Sequence, residues 1–375
     1  MTDRVQLKRI RIQGFRSLAQ VELEDLPAAT VLIGANGSGK SNFIRFFEML
    51  SWMQGPRRLG EFIQMNGGAD DQLHGGSETT TRIEADVSLS TGAGRNDYRF
   101  VLSHAHPDRL LFTEECLRFQ SKALPNEPEW QPLGSGHAET EIGRAAHGEY
   151  PNVNPTTART IRYLLRTCSV FQFHNTSRTS SFHKSWDAQD TAYLRSDAGN
   201  LPAVLRWLEE EDPARYETIC DHIGRVLPTF DGFQLAERYG KVSLRWKTRV
   251  SNKTVGSHLT SDGSLRFFAL VTLLHLPPEM LPNVLLLDEP ELGLHPAAVT
   301  LVGSMLKAVA KERQVVVATQ SPLLVDEFSL DEIIVLELRD ERTEAQRLNP
   351  DQYRSWLEEF ATGELWQKNL LGGRP

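Results

Sequence analysis

The sequence predicts an α/β fold: a mixed, largely parallel central sheet in a two-lobed head that carries a long helical and β insertion. Three observations predict it. In the closing third, the apolar runs Val284 to Leu287, Val315 to Ala318 and Glu332 to Leu338 alternate with helical stretches at Leu265 to Leu276 and Ala297 to Lys311, a pattern that gives a sheet covered on both faces. Near the start, the apolar run Thr30 to Ile33 enters a glycine-rich loop, after which Phe43, Ile44, Phe46, Phe47 and Leu50 recur at helical spacing. The residues that complement this loop, around Asp288, lie 248 positions beyond Lys40, much more chain than a single-lobe domain requires.

Taken in order, Val5, Leu7, Ile10 and Ile12 alternate with Arg4, Lys8, Arg9 and Arg11 before turning at Gly14, so the chain opens as strand, turn, strand. Gly, Pro and Asp content rises from Gly55 to Gly76, and Thr79 to Leu102 reads as a hairpin. Ser121 to Thr156 is polar and rich in Pro, Gly and His, which predicts a long, poorly ordered loop. Thr157 to Thr167 is expected to be helical and Ser169 to Phe173 a strand; Leu201 to Leu227 forms two helices broken at Pro213, and Phe230 to Arg249 returns to strands. The tail from Thr343 is expected to be helical. Residues 1–375 thus form one head: an N-terminal lobe at 1–105, an insertion at 106–258, the motif-bearing segment 259–340 and a tail at 341–375.

Composition bounds the function. The 375 residues hold 41 Lys+Arg and 49 Asp+Glu, a net charge of −8, with 40% hydrophobic and 24% charged residues; this excludes a disordered chain, a collagen and a coiled-coil rod. The acidic balance argues against a general nucleic-acid-binding coat. The most apolar stretch, Phe267 to Leu274, is far short of the ~20 residues of a membrane span, and the charged start has no apolar signal core, so a cytoplasmic protein without a membrane partner is expected. Cys116, Cys168 and Cys220 cannot all pair and form no zinc-like cluster.

Gly34-Ala-Asn-Gly-Ser-Gly-Lys-Ser41 fits the phosphate-loop pattern GxxxxGK[ST] in full. Gly34, Gly37 and Gly39 let backbone N–H groups wrap phosphates, and the helix beginning near Lys40 points its positive dipole end at them. Gly34, Asn36, Gly37, Ser38, Gly39, Lys40, Ser41 and Asn42 are therefore the expected ATP-binding element. Lys40 would meet the β- and γ-phosphates and Ser41 would give its hydroxyl to Mg²⁺. Val284-Leu-Leu-Leu-Asp-Glu289 supplies the partner strand, with Asp288 as Mg²⁺ ligand and Glu289 as the group that orients the attacking water.

Thr260-Ser-Asp-Gly-Ser-Leu-Arg-Phe267, a helix, and Leu287-Asp-Glu-Pro-Glu-Leu-Gly-Leu-His-Pro296 resemble, in that order, the ABC-class ATPases, specifically the stand-alone heads allied to RecF, SMC and OLD proteins. Ile12-Gln-Gly-Phe-Arg-Ser17 resembles that group's opening strand, and Gly67-Gly-Ala-Asp70, His74, Gly363-Glu-Leu-Trp366 and Gly372-Gly-Arg-Pro375 resemble its predicted ATPases. The resemblance implies two protomers sandwiching two ATP molecules, with Ser261 and Gly263 of one touching the γ-phosphate held by the other, and with Ser264 opening the signature helix. It also implies that Gln172 is the glutamine that completes the Mg²⁺ shell, that Arg16 lies near the nucleotide, and that Gln320 stands where many relatives carry a γ-phosphate-sensing histidine. His174 reads as a structural histidine.

The output is less specified. An ATP-gated dimer switch coupled to DNA or to a separate effector such as a nuclease or toxin, in repair or antiphage defence, is the leading expectation. A transporter's nucleotide-binding subunit and a low-turnover nucleotide-regulated binding protein are the alternatives. Strand alternation puts Lys241, Arg245, Lys247 and Arg249 on one face, and Arg159, Arg162 and Arg166 share a helix face; both are candidate DNA or partner contacts.

Overall fold

The computed structural model describes residues 4–55, 58–123 and 128–374. The chain opens with the hairpin β1 (Gln6–Phe15) and β2 (Leu18–Glu24), followed by β3 (Ala29–Ile33), the phosphate loop and α1 (Lys40–Gln54). After α2 (Leu59–Met65) come β4 (Arg82–Ser90), β5 (Gly94–Ala105), β6 (Arg109–Ser121) and β7 (Gln131–Gly134), then α3 (Ile142–Ala146), α4 (Pro155–Arg166) and β8 (Cys168–Phe171). The insertion holds β9 (Trp186–Asp187), α5 (Leu201–Glu211), α6 (Pro213–Val226), β10 (Phe230–Phe233), β11 (Lys241–Val242), β12 (Arg245–Thr248) and β13 (Ser251–Gly256). The chain then runs α7 (Asp262–Leu274), β14 (Val284–Asp288), α8 (Pro296–Ala310), β15 (Gln314–Ala318), α9 (Pro322–Val325), β16 (Ile333–Arg339), β17 (Arg342–Arg347), α10 (Arg354–Leu357) and α11 (Thr362–Gln367).

Two six-stranded sheets result. One is antiparallel in the order β2-β1-β4-β5-β6-β7, and the other runs β17-β16-β3-β15-β14-β8, parallel except for β17. The parallel strands are mainly apolar because both faces are covered. Leu32, Leu286, Val316 and Ile334 face α1 and the antiparallel sheet, while Val31, Leu287, Val317 and Val335 face the core shared with α5, α6, α7 and α8. Phe43, Phe46, Phe47 and Leu50 of α1 are fully buried between the sheets. Gln314, also fully buried, joins the sheets: its Oε1 accepts from Leu7 N at 2.6 Å and its Nε2 donates to Pro27 O at 3.1 Å.

Several expectations need correction. A lobe boundary at 105/106 would cut the β5–β6 hairpin; the first sheet continues to Gly134. The segment Ser121 to Thr156 is not a long loop, since it carries β7, α3 and the Asn154-capped start of α4, although residues 124–127 lie outside those described. Several of its groups are committed to the head, although Ser135, His147, Glu149 and Asn152 are exposed. Glu139 accepts from the N–H groups of Leu59 and Gly60 at the start of α2. Buried Glu115 accepts from Tyr98, Thr140 and the N–H of Glu141, and Trp130 lies between the guanidinium groups of Arg99 and Arg118 at 4.3 and 4.4 Å. The tail begins with β17, not a helix: its alternating charges suit the antiparallel edge of the central sheet. Pro375 lies outside the described residues.

Lys241 to Arg249 is likewise not one strand. β11 pairs with β9, whereas β12 joins β10 and β13 in a separate three-stranded sheet. Alternation survives the break, because Val242, Leu244 and Trp246 are buried while Lys241, Arg245, Lys247 and Arg249 are exposed.

Candidate functional site: a nucleotide-binding edge

The parallel strands β3, β14 and β15 end on the same edge, and their C-terminal turns carry the motifs. Gly34 must be glycine: its φ is +154°, and a Cβ there would collide with Leu336 O. Gly39, at φ +102°, likewise leaves no room for a side chain between itself and Thr343 Oγ1, with Ser17 Oγ at 2.9 Å. The hydroxyls of Ser17 and Thr343 stand 2.8 Å apart, and Asn42 Nδ2 donates to Ser17 Oγ at 2.8 Å. The opening hairpin, α1 and β17 thus brace the loop from behind, with Asn42 serving that brace.

Lys40 is only 4% exposed. Its Nζ donates to Gly34 O at 2.6 Å and Ala35 O at 2.9 Å, and burial lowers its pKa against the opposing pull of Glu289 and Asp288. Opposite it, Ser41 Oγ donates to Asp288 Oδ1 at 3.3 Å and Gln172 Nε2 donates to Asp288 Oδ2 at 3.3 Å. Three groups from three distant segments therefore meet, and burial pushes the Asp288 carboxyl above its ordinary range. His174 Nε2 lies 2.9 Å from Asp288 O and fixes the end of β14. The oxygens of Ser41 and Asp288 are hard donors that suit Mg²⁺, and Gln172, whose Nε2 faces Asp288 here, carries a side-chain oxygen of the same kind.

Glu289 follows at φ +44°, a left-handed conformation that costs a non-glycine residue energy and is retained where surrounding structure enforces it. Its N–H donates to Ala318 O at 2.8 Å, and its Oε1 accepts the side-chain amide of Gln320. Asn36 sits on the open side of the loop, exposed together with Gly37, while Ser38 is buried.

Arg16 is placed in the β1–β2 turn at φ +49°, where its guanidinium donates to Gln72 Oε1 at 2.9 and 3.1 Å; burial, then Arg45, lowers its pKa. Ser261 is exposed and caps α7 by accepting from Ser264 N at 3.2 Å. The signature helix therefore starts at Asp262, ahead of the expected Ser264. Gly263 lies so close to Gly293 O that a Cβ would overlap it, which sets the signature turn directly on the segment after Glu289. His295 caps α8 through Nδ1, accepting from Ala297 N at 3.3 Å.

Two further residues join the site, and neither stands out in the sequence although both lie inside its motifs. Arg266 donates from Nε to Phe173 O at 3.1 Å, from Nη2 to His174 O at 3.0 Å and from Nη1 to Leu292 O at 3.0 Å, joining the signature helix to the segments that hold Gln172 and Glu289. Glu291 Oε1 accepts from Thr319 Oγ1 at 2.6 Å and from Gln320 N at 2.9 Å. Thr343 carries no sequence signal at all, since nothing in the sequence links it to Gly39 across most of the chain.

A family described as "AAA domain, putative AbiEii toxin, Type IV TA system" matches residues 29–134 and 223–326, more than half of the sequence. The chain belongs to this AAA family. Its two matched stretches hold the phosphate loop and the signature-to-switch motifs, and the head is an ABC-class ATPase of the RecF/SMC-like kind. RecF, the "DNA replication and repair protein" of Anaeromyxobacter dehalogenans (strain 2CP-C), is 40% identical over 129 residues, 29% of this chain and 34% of the relative. RecF of Brucella abortus (strain 2308) is 31% identical over 94 residues, 24% of each chain. The similarity thus spans about a third or less of these relatives. Among solved structures, an SMC head bound to the C-winged helix domain of ScpA is 15% identical with TM-score 0.62, covering 93% of this chain and 99% of its own. The Smc head of Pyrococcus furiosus with an extended coiled coil is 13% identical with TM-score 0.56, covering 95% and 99%. Both share the fold.

Proposed function

We propose that the chain binds ATP with Mg²⁺ and hydrolyses it as an ATP-gated homodimer whose closed state engages DNA or a separate effector protein. The observation that carries this reading is the meeting of Ser41, Asp288 and Gln172 beside Lys40, with Glu289 held by Gln320 on the same edge. Backbone N–H groups of the loop and Lys40 bind and orient the phosphates. Mg²⁺, when bound by Ser41, Asp288 and Gln172, supplies positive charge against the β- and γ-oxygens. Glu289 accepts a hydrogen bond from the attacking water and aligns it, while Gln320 fixes the carboxylate.

Dimerisation is supported by the exposure of Ser261 and by the exposed apolar side chains Leu259, Leu292 and Leu323, which flank the signature, the segment after Glu289 and the switch. Such residues are suited to closing over a partner's nucleotide. Among the described residues no helix is long and apolar enough to cross a membrane. The similarity to RecF favours DNA as the sensed ligand, with Lys241, Arg245, Lys247 and Arg249 or Arg159, Arg162 and Arg166 as contacts. All are exposed except half-buried Arg162. Arg249 is 3.8 Å from Asp231 and is the most compensated of the first set.

The test is ATP turnover with and without linear duplex DNA at fixed salt, with Glu289→Gln as the blank, and light scattering of that variant with and without ATP. A dimer formed only with ATP and turnover above the blank are expected. Turnover equal to the blank would remove the hydrolytic reading, and a DNA-independent rate would shift the output to a protein partner.

A further inference from the structure

We propose that Glu291 is a positioning residue for hydrolysis, holding the Thr319–Gln320 corner so that the Gln320 side chain reaches Glu289. The inference rests on the hydrolytic role of Glu289 given above and extends it to a residue two positions further on.

One oxygen of the Glu291 carboxylate does all the hydrogen bonding. Oε1 accepts the hydroxyl of Thr319 at 2.6 Å and the backbone N–H of Gln320 at 2.9 Å. The same hydroxyl accepts from Ser321 N at 3.0 Å, so Thr319 and Gln320 are tied to Oε1 directly and Ser321 through the Thr319 hydroxyl. Thr319 is fully buried, and its N–H donates to Leu32 O at 3.1 Å, which anchors the corner to β3. From this corner Gln320 extends its side chain, which donates to Glu289 Oε1.

The other oxygen, Oε2, is sealed from solvent without a hydrogen-bond partner among the described residues. Leaving a buried carboxylate oxygen unpaired is costly, and the negative charge of Glu289 adds to the burden that burial places on Glu291. What an aliphatic residue cannot supply is the pair of acceptor bonds that sets the backbone direction of Gln320. Glutamine cannot exchange protons as a switch histidine can, so its contribution to Glu289 depends on placement alone, and misplacement by about 1 Å can cost on the order of 10²-fold in rate.

The experiment is steady-state ATP hydrolysis and equilibrium binding of a fluorescent ATP analogue by the full chain and its variants. Glu291→Ala should lower kcat roughly 10- to 100-fold with KM and analogue affinity within about twofold, because the phosphate loop is untouched. Glu291→Gln retains an acceptor oxygen and should recover most of kcat. The decisive variant is Glu291→Ala/Gln320→Ala, which should turn over no more slowly than Gln320→Ala, since a residue acting through Gln320 has nothing left to position. Should Glu291→Ala fail to fold, Thr319→Val removes the hydroxyl from the same corner and must show the same kcat loss and the same non-additivity. Unchanged kcat, or losses that multiply in the double variant, would overturn the proposal. If Glu289→Gln is inactive while Glu291→Ala matches wild type, only this inference fails; if wild type itself does not exceed Glu289→Gln, the hydrolytic reading fails with it.

Discussion

The phosphate-facing edge of the central sheet and the insertion between β8 and α7 both display many charged residues, yet they handle charge in opposite ways. On the edge, Lys40 and Asp288 are 4% and 6% exposed, and Arg266 spends its guanidinium on three backbone carbonyls. In the insertion, Lys241, Arg245 and Lys247 stand in solvent, and Arg206 is shared between Glu210 and Glu237 at the surface. Burial makes an unpartnered charge expensive, so every charged residue of the edge requires a defined neighbour. Exposed charges carry no such requirement. A motif can therefore be read on the edge, whereas a stripe of basic residues in the insertion reports only that one strand face is wet.

The largest difference should be catalytic. Lys40→Ala should abolish ATP binding, and Glu289→Gln should lower turnover by roughly 10²–10⁴-fold while leaving binding intact, read by phosphate release and by fluorescent-nucleotide titration. Lys241→Ala/Arg245→Ala should leave DNA-free turnover unchanged. If the insertion variant lowered basal turnover as far as Glu289→Gln does, the division between the two regions would collapse.

Stability should separate them next. Arg266→Ala removes three charge-assisted hydrogen bonds and leaves the carbonyls of Phe173, His174 and Leu292 without that donor, a loss of about 1.5–3 kcal/mol in a denaturant titration. Arg266→Lys should not rescue it, because an ammonium cannot reproduce the planar fork. Arg245→Ala or Lys247→Ala should stay within about 0.5 kcal/mol of wild type. Gln314→Leu lies between the sheets and away from the nucleotide; it strips Leu7 N and Pro27 O of their partner and should cost about 1–3 kcal/mol without altering KM for ATP.

The same contrast explains which features are legible in the amino-acid sequence alone. The parallel strands are legible because both faces are apolar, and the phosphate loop because its glycines occupy backbone conformations and close contacts that other residues cannot, as at Gly34 and Gly39. Gln172 and Asp288 are legible as separate signals through the family resemblance. Their meeting is not, since it depends on β14 pairing with β8 across more than 100 residues. At Ser121 to Thr156 polarity misleads by suggesting a solvated loop, whereas Glu139 spends its carboxylate on the start of α2, and Thr140 and the N–H of Glu141 meet buried Glu115 of β6. Thr343 and Glu291 illustrate two kinds of loss. The first is nonlocal and has no sequence signal. The second sits beside louder neighbours in Asp-Glu-Pro-Glu, and its role depends on which oxygen meets which donor.

The smallest expected effect concerns pH, where the two regions should respond with opposite sign. At the junction of α6 and α7, His222 Nδ1 and His275 Nε2 are 3.0 Å apart. Burial lowers both from the ordinary 6.5, with Arg225 adding to the fall at His222 and His222 to that at His275. A histidine whose folded value is depressed favours the neutral form, so the unfolded chain binds protons first and this pair loses stability as pH falls below about 6.5. On the edge, burial raises Asp288 and Glu291 above 3.8 and 4.5. There the folded state holds the proton more tightly, so these acids destabilise at neutral pH and that cost fades as pH falls through their raised values. Thermal unfolding at pH 7.5, 6.0 and 5.0 separates the two. His222→Asn should flatten part of the decline between 7.5 and 6.0, while any gain from Glu291→Gln should be greatest at 7.5 and shrink toward 5.0. A gain that instead grew with acidity would mean that Glu291 is stabilised as an anion, and the comparison between a costly, partnered edge and a solvated insertion would then lose one of its examples.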